Sequence, residues 1–107
     1  LLGPVDSIKV PTEAPFARSV YHLYVIRTPD RDALKAHLAA EGIATGLHYP
    51  LVLHRQNAYR HMGYENGAFP VSERISAELL SLPMYPQMED AQVERVAAAV
   101  AAFCGLQ

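Results

Sequence analysis

The sequence predicts an α+β domain in which a small, mainly antiparallel sheet carries helices packed on one face. One segment, residues 20–26, is rich in β-branched and aromatic side chains and is apolar at both alternate positions, as in a central strand. Three other segments carry apolar residues every three or four positions, which is typical of amphipathic helices. The predicted order is strand, helix, strand, irregular segment, helix, short strand and helix.

Composition limits the class of protein. The chain has 107 residues, half of them hydrophobic, which is the size of one domain. Nine Lys and Arg against eleven Asp and Glu exclude the basic surface typical of nucleic-acid-binding domains. The single cysteine, Cys104, excludes a disulfide framework and is typical of a reducing compartment. No apolar run reaches the length that a membrane helix needs.

Residues 1–18 are predicted to be a connector from a preceding large domain, and residues 19–107 to be the folded small domain. Prolines interrupt any helix in the connector, and its apolar residues are too scattered for a strong strand prediction. The chain also begins without a methionine, so we expect an excised piece of a longer protein. The interrupting prolines are Pro4, Pro11 and Pro15.

The predicted central strand is apolar on both faces. A strand of this kind needs cover on both sides, whereas the predicted helices cover only one. We therefore expect the other face to be a partner surface. One face consists of Val20, Tyr24 and Ile26, and the other of Tyr21, Leu23 and Val25.

The first helix has local start and stop signals. Thr28 and Asp30 are both typical N-cap residues. Leu34 and Leu38 lie four positions apart and share one helical face. Gly42 is typical of a helix that ends in the left-handed conformation.

The second half of the chain contains two further predicted helices. Residues 43–45 predict a short second strand that ends at Gly46, and residues 47–67 are irregular. Pro70 is suited to the first position of a helix, where a missing N–H costs nothing. A short extended segment is expected at residues 82–83, and the last helix begins at Glu89. The expected buried faces are Val71, Ile75 and Leu79 in one helix, and Val93, Val96, Val100 and Phe103 in the other.

The irregular segment carries the densest group of polar aromatic residues. His48, Tyr49 and His54 have the groups that hydrogen-bond sugar hydroxyls or transfer protons near neutral pH. The same residue types also serve as packing residues in irregular loops, so the pattern leaves both interpretations open. Only His61 and the distant Cys104 could join them, so the spacing does not predict a zinc site.

No catalytic motif is evident in the chain. There is no nucleophile elbow and no glycine loop of the kind that binds phosphates. We expect Glu65, Glu73 and Glu78 to be solvated or capping carboxylates without an acid–base partner. From its own residues, the chain is predicted to have no catalytic residue.

Six short blocks nevertheless follow one another in a family-specific order. Over residues 16–103 the series resembles the C-terminal domain of the DegT/DnrJ/StrS family of sugar aminotransferases. The third block ends in His48-Tyr49-Pro50. The blocks are residues 21–27, 31–34, 42–50, 53–59, 69–74 and 80–86.

This resemblance implies a fold and an activity. The family consists of cytoplasmic pyridoxal-phosphate enzymes of the aspartate-aminotransferase fold, which move an amino group from glutamate or glutamine onto a nucleotide-linked keto-sugar. It implies a role in polysaccharide or related biosynthesis, and a homodimer with its active sites between a large domain and this small one. It also implies that His48, Tyr49 and His54 bind the substrate, and it identifies no cofactor-binding residue.

The two lysines do not match the Schiff-base lysine that such an enzyme needs. Lys9 lies in the predicted connector, and Lys35 lies beside the apolar stripe of the first helix. The resemblance places the required lysine upstream, so the isolated chain is predicted to be inactive. Two alternatives stay open: a non-catalytic module that binds a small molecule or a protein, and the dehydratase branch of the same family, in which a histidine replaces the lysine.

Overall fold

The computed structural model describes residues 1–3 and 5–105. Pro4, one of the prolines predicted to interrupt the connector, lies outside the described residues, as do Leu106 and Gln107. Within this described part, two strands and three α-helices form the framework, and two short 3₁₀ helices lie in the irregular segment. The elements are β1 (Tyr24–Arg27), α1 (Arg31–Ala40), 3₁₀ helices at Leu53–Arg55 and Asn57–Met62, α2 (Pro70–Glu78), β2 (Leu79–Leu82) and α3 (Asp90–Phe103).

The sheet is small and antiparallel. Strands β1 and β2 pair directly, and a single backbone pair extends the sheet at each edge. Lys9 exchanges hydrogen bonds of 2.8 and 2.9 Å with Arg27 of β1, and Gly46 exchanges bonds of 3.0 and 2.8 Å with Ser81 of β2. The α+β fold class is therefore confirmed.

The core lies between this sheet and helices α1 and α3. Ile26 of β1 lies opposite Leu80 of β2, and both side chains are completely buried. Helix α1 packs against β2 and α3, so the predicted apolar face of α1 is confirmed. The helical residues buried in this core are Leu34, Leu38, Val96 and Val100.

Part of the N-terminal segment also belongs to the core. Leu2, Val5 and Ile8 are buried and pack in the same apolar cluster as α1 and β2. Their burial, with the pairing of Lys9, fixes this segment against the sheet. The role of residues 1–18 as a link to a preceding domain stays a prediction.

The predicted strand at residues 20–26 is too long. Strand β1 begins only at Tyr24, and the Val20 side chain, assigned to a buried strand face, is 94% exposed. Tyr24 lies opposite Leu82, the last residue of β2, so residues before it have no partner in the sheet. The next residue is Pro83, which has no N–H with which to continue the pairing.

The second predicted strand, at residues 43–45, is wrong as well. Ile43 instead completes the end of α1 by donating its N–H to the carbonyl oxygen of Leu38 at 2.8 Å. Gly42 adopts the left-handed conformation that this type of helix end requires, with φ of 72°, which confirms the predicted stop. Gly46, where the predicted strand ends, forms a single backbone pair with Ser81 of β2.

Helix α2 begins at Pro70, as predicted, but its predicted buried face is confirmed only in part. Val71 is 59% exposed and Ile75 is half-buried, whereas Leu79 is buried as predicted but belongs to β2. The helix ends at Glu78 and continues at once as a strand, so the predicted short extended segment starts earlier than expected. The buried residue of α2 is Ser76.

Helix α3 has the predicted start and stop. The Gln92 side chain accepts a hydrogen bond of 2.9 Å from the N–H of Glu89, and Gly105 follows the helix with φ of 76°. Val93, expected in its buried face, is exposed.

Within residues 1–3 and 5–105, none of the helices combines the length and apolar character needed to cross a bilayer.

The buried sheet residues provide a test of this fold. We expect Leu80→Ala to lower the free energy of unfolding of the 107-residue chain by about 2–5 kcal/mol, because it leaves a cavity in the core. Val20→Ala, at the exposed position, should change it by less than about 0.5 kcal/mol. Urea denaturation measures both, and equal effects would contradict the position at which β1 begins.

Candidate functional site

An open groove of about 700 Å³ lies between the irregular segment and α2. Its walls are mainly apolar and aromatic, with a few polar groups among them. Tyr49 and His54, two of the three predicted site residues, belong to the lining of the groove. His48 does not belong to the lining, but it is the residue before Tyr49 in the sequence. The aromatic and sulfur-containing side chains of the lining are Tyr49, Tyr59, Met62, Tyr64 and Phe69.

The imidazole of His48 is held against β2. Its Nδ1 lies 2.9 Å from the hydroxyl oxygen of Ser81, which is buried. The ring also occupies the space beside Gly46, where a Cβ atom would lie 2.6 Å from His48 Cε1. Among the described residues, Nε2 of the same ring has no recorded hydrogen-bond partner. One ring nitrogen of His48 is thus anchored to β2.

Tyr49 combines a fixed backbone with an exposed side chain. The buried hydroxyl of Ser76 in α2 donates to the carbonyl oxygens of Tyr49 and Pro50, at 3.2 and 3.0 Å. The residue is nevertheless 72% exposed. The Tyr49 ring meets the ring of His48 edge-on, with centroids 5.6 Å apart. His48 and Tyr49 are therefore adjacent in space as well as in sequence.

His54 has a different environment. Its side chain is only 8% exposed, and its Nε2 lies 2.9 Å from a carboxylate oxygen of Glu73. The ring packs against Phe69 and Tyr64, with centroids 4.8 and 6.3 Å away. His48 is thus bonded to β2 and His54 to α2, so the two histidines belong to separate hydrogen-bond networks.

Glu73 has a partner, contrary to the expectation of a carboxylate without one. Besides contacting His54, it accepts hydrogen bonds from the N–H groups of Gly67, at 2.9 Å, and Phe69, at 3.4 Å. The Gly67 hydrogen bond is the main reason that the pKa of Glu73 lies below its ordinary value, while burial opposes the change. An acidic residue in the first turn of a helix, such as Glu73 in α2, commonly accepts hydrogen bonds from backbone N–H groups, so the sequence could have indicated these contacts. Nothing in the neighbouring sequence indicated the contact with His54.

Glu78 is also paired, which corrects the same expectation. Its carboxylate lies 2.7 Å from the guanidinium of Arg27, and this hydrogen bond holds the pKa of Glu78 below its ordinary value. The pair joins the end of α2 to β1. Its position and its partner indicate a structural role at the edge of the sheet.

The described part of the chain offers no metal centre. Within residues 1–3 and 5–105, no three His, Cys, Asp or Glu side chains come close enough together to hold a metal ion. His61, the other histidine considered for zinc, contacts the carbonyl oxygen of Ala58 in its own 3₁₀ helix at 3.1 Å.

Acid denaturation tests the role of Glu73. Because folding lowers its pKa, the carboxylate stabilises the fold above its unfolded pKa of about 4.3, and this stabilisation is lost as the pH falls through the lower folded pKa. We expect the free energy of unfolding to fall less steeply below about pH 4.3 in Glu73→Gln than in the wild type. Urea titrations at several pH values measure this slope. The exposed Glu65→Gln is the control, and equal slopes in wild type and Glu73→Gln would contradict the assigned contacts.

Comparison with protein families gives a match over nearly the entire chain. The model of the DegT/DnrJ/EryC1/StrS aminotransferase family matches residues 2–101. A pleiotropic regulatory protein from Geobacillus stearothermophilus is 41% identical over 98 residues, which are 92% of this chain and 26% of that protein. A dTDP-3-amino-3,6-dideoxy-alpha-D-galactopyranose transaminase from Aneurinibacillus thermoaerophilus is 41% identical over 93 residues, which are 87% of this chain and 25% of that enzyme.

A solved structure agrees with this match. DesV from S. venezuelae, in complex with a ketimine intermediate, superimposes with a TM-score of 0.92 and is 38% identical. The match covers 96% of this chain and 28% of that one. The chain thus spans about a quarter of the length of the relatives it matches, and the matched stretch is their C-terminal portion. Because the family model matches nearly the entire sequence, the chain belongs to the DegT/DnrJ/EryC1/StrS aminotransferase family.

Proposed function

We propose that this chain is the small C-terminal domain of a pyridoxal-phosphate-dependent aminotransferase. The enzyme would move an amino group from glutamate or glutamine onto a nucleotide-linked keto-sugar. Family membership supports this proposal, as do relatives named as dTDP-sugar transaminases. Since the chain spans about a quarter of those relatives, the activity is assigned to a longer cytoplasmic homodimer with its own large domain.

The two lysines do not fit covalent attachment of the cofactor. Such a lysine is activated by desolvation or by a neighbouring cation, whereas Lys9 and Lys35 are both exposed. The backbone of Lys9 pairs at the sheet edge, and neither lysine belongs to the lining of the groove. No chemical step is assigned to these residues, and the proposed role of this domain is to bind and orient the sugar.

The anchored imidazole of His48 beside the exposed ring of Tyr49 carries this part of the proposal. The Nε2 of His48 can donate to, or accept from, a sugar hydroxyl, according to the tautomer. The phenol of Tyr49 can hydrogen-bond, and its ring can cover an apolar sugar face. His54 completes the proposed substrate-binding set through its place in the groove lining.

Kinetics of the intact enzyme test this assignment. We expect His48→Ala and Tyr49→Ala each to raise the KM for the keto-sugar about tenfold or more, because each removes contacts to that substrate. The half-reaction with glutamate should stay within about twofold of wild type, since the proposed contacts are made to the sugar. Steady-state and single-turnover kinetics with each substrate separate the two effects.

Two variants serve as matched controls. His61→Ala removes an exposed imidazole that contacts its own helix, and Tyr85→Ala removes an exposed phenol outside the groove lining. Both should retain the wild-type KM for the keto-sugar. An equal loss in both half-reactions, or an unchanged sugar KM in His48→Ala and Tyr49→Ala, would contradict the assignment.

A further inference from the structure

Strand β2 contains a hydroxyl group in an otherwise apolar setting. Its sequence is Leu-Leu-Ser-Leu, and all four residues are buried. A buried hydroxyl is costly unless it finds a hydrogen-bond partner, so Ser81 in such a strand calls for a specific contact. The contact that the structure records is the imidazole of His48, at 2.9 Å.

Ser81 acts on the same short segment through its backbone. Its N–H and carbonyl groups exchange hydrogen bonds with Gly46, at 2.8 and 3.0 Å. This pairing brings Gly46 beside Ser81. His48 lies two residues further along the chain, and its ring returns to contact the Ser81 hydroxyl.

Gly46 provides the space in which the ring lies. A Cβ atom there would lie 2.6 Å from Cε1 of His48, which is closer than Cβ atoms approach other atoms, and 3.2 Å from Nδ1, which is a tight contact. The atoms that a methyl group would meet belong to the imidazole and not to the backbone. An alanine at this position therefore displaces the ring first and leaves the strand pairing in place.

We propose that Ser81 and Gly46 are positioning residues that hold His48 with its Nε2 turned towards the sugar substrate. The hydroxyl can donate to Nδ1 or accept from it, so it supports whichever tautomer the substrate requires at Nε2. Gly46 keeps the position beside the hydroxyl open to the ring. This inference rests on the proposed function, because it acts through the substrate contact of His48.

A double-mutant cycle in the intact enzyme tests this coupling. We expect Ser81→Ala and Gly46→Ala each to lower kcat/KM for the keto-sugar about tenfold, mainly through KM, with the glutamate half-reaction unchanged. In the His48→Ala background, each should have less than about a twofold further effect, because its target is already absent. Ser7→Ala, an exposed serine, is the control and should match the wild type.

Crystal structures of the intact Ser81→Ala and Gly46→Ala enzymes give an independent measurement. We expect the imidazole to leave its present position in both, with the Gly46–Ser81 backbone pair intact. An unmoved ring, or effects on kcat/KM that persist in full in the His48→Ala background, would overturn the proposal. A displaced ring together with an unchanged sugar KM in His48→Ala would support positioning by Ser81 and Gly46, but would contradict the substrate contact.

Discussion

The arrangement of this domain depends on the passage of α2 into β2 without an intervening loop. The helix ends at Glu78, and the next residue, Leu79, is already extended. Arg27 of β1 and Thr28, the next residue, both bind Glu78 at this junction between α2 and β2. The N–H of Thr28 donates to the Glu78 carbonyl oxygen at 3.1 Å, and the Arg27 guanidinium pairs with the Glu78 carboxylate. These two contacts join the end of α2 to the strand that pairs with β2.

Residues on both sides of this junction hold the irregular segment by hydrogen bonds. Ser76 precedes the junction by two residues and holds the backbone of Tyr49, whereas Ser81 follows it and holds the ring of His48. Two buried hydroxyls on one continuous stretch of chain therefore orient two successive residues. His48 and Tyr49 lie outside any helix or strand, and these hydrogen bonds from α2 and β2 hold them in place.

Predictions that rest on the conformational properties of single residues were confirmed at several helix ends, whereas the extent of two strands and the buried face of α2 were not. Pro70 begins α2 and Gly42 ends α1 because a missing N–H and a positive φ are properties of single residues. Residues 20–23 have strand-like side chains but form no strand, because β2 is too short to pair with them. Val71 has helical spacing but is exposed, because α2 contributes no residue to the described apolar core cluster.

The sequence alone determined the fold class and most helix ends, and its ordered motifs indicated the family that the comparisons then established. It also directed attention to His48 and Tyr49, whose contact with a sugar stays a prediction. Only the tertiary structure decided that His48 meets Ser81, thirty-three residues away, and that His54 meets Glu73, nineteen residues away. The physical reason is that side-chain hydrogen bonds act over about 3 Å, and only the folded backbone brings residues so distant in sequence within that range.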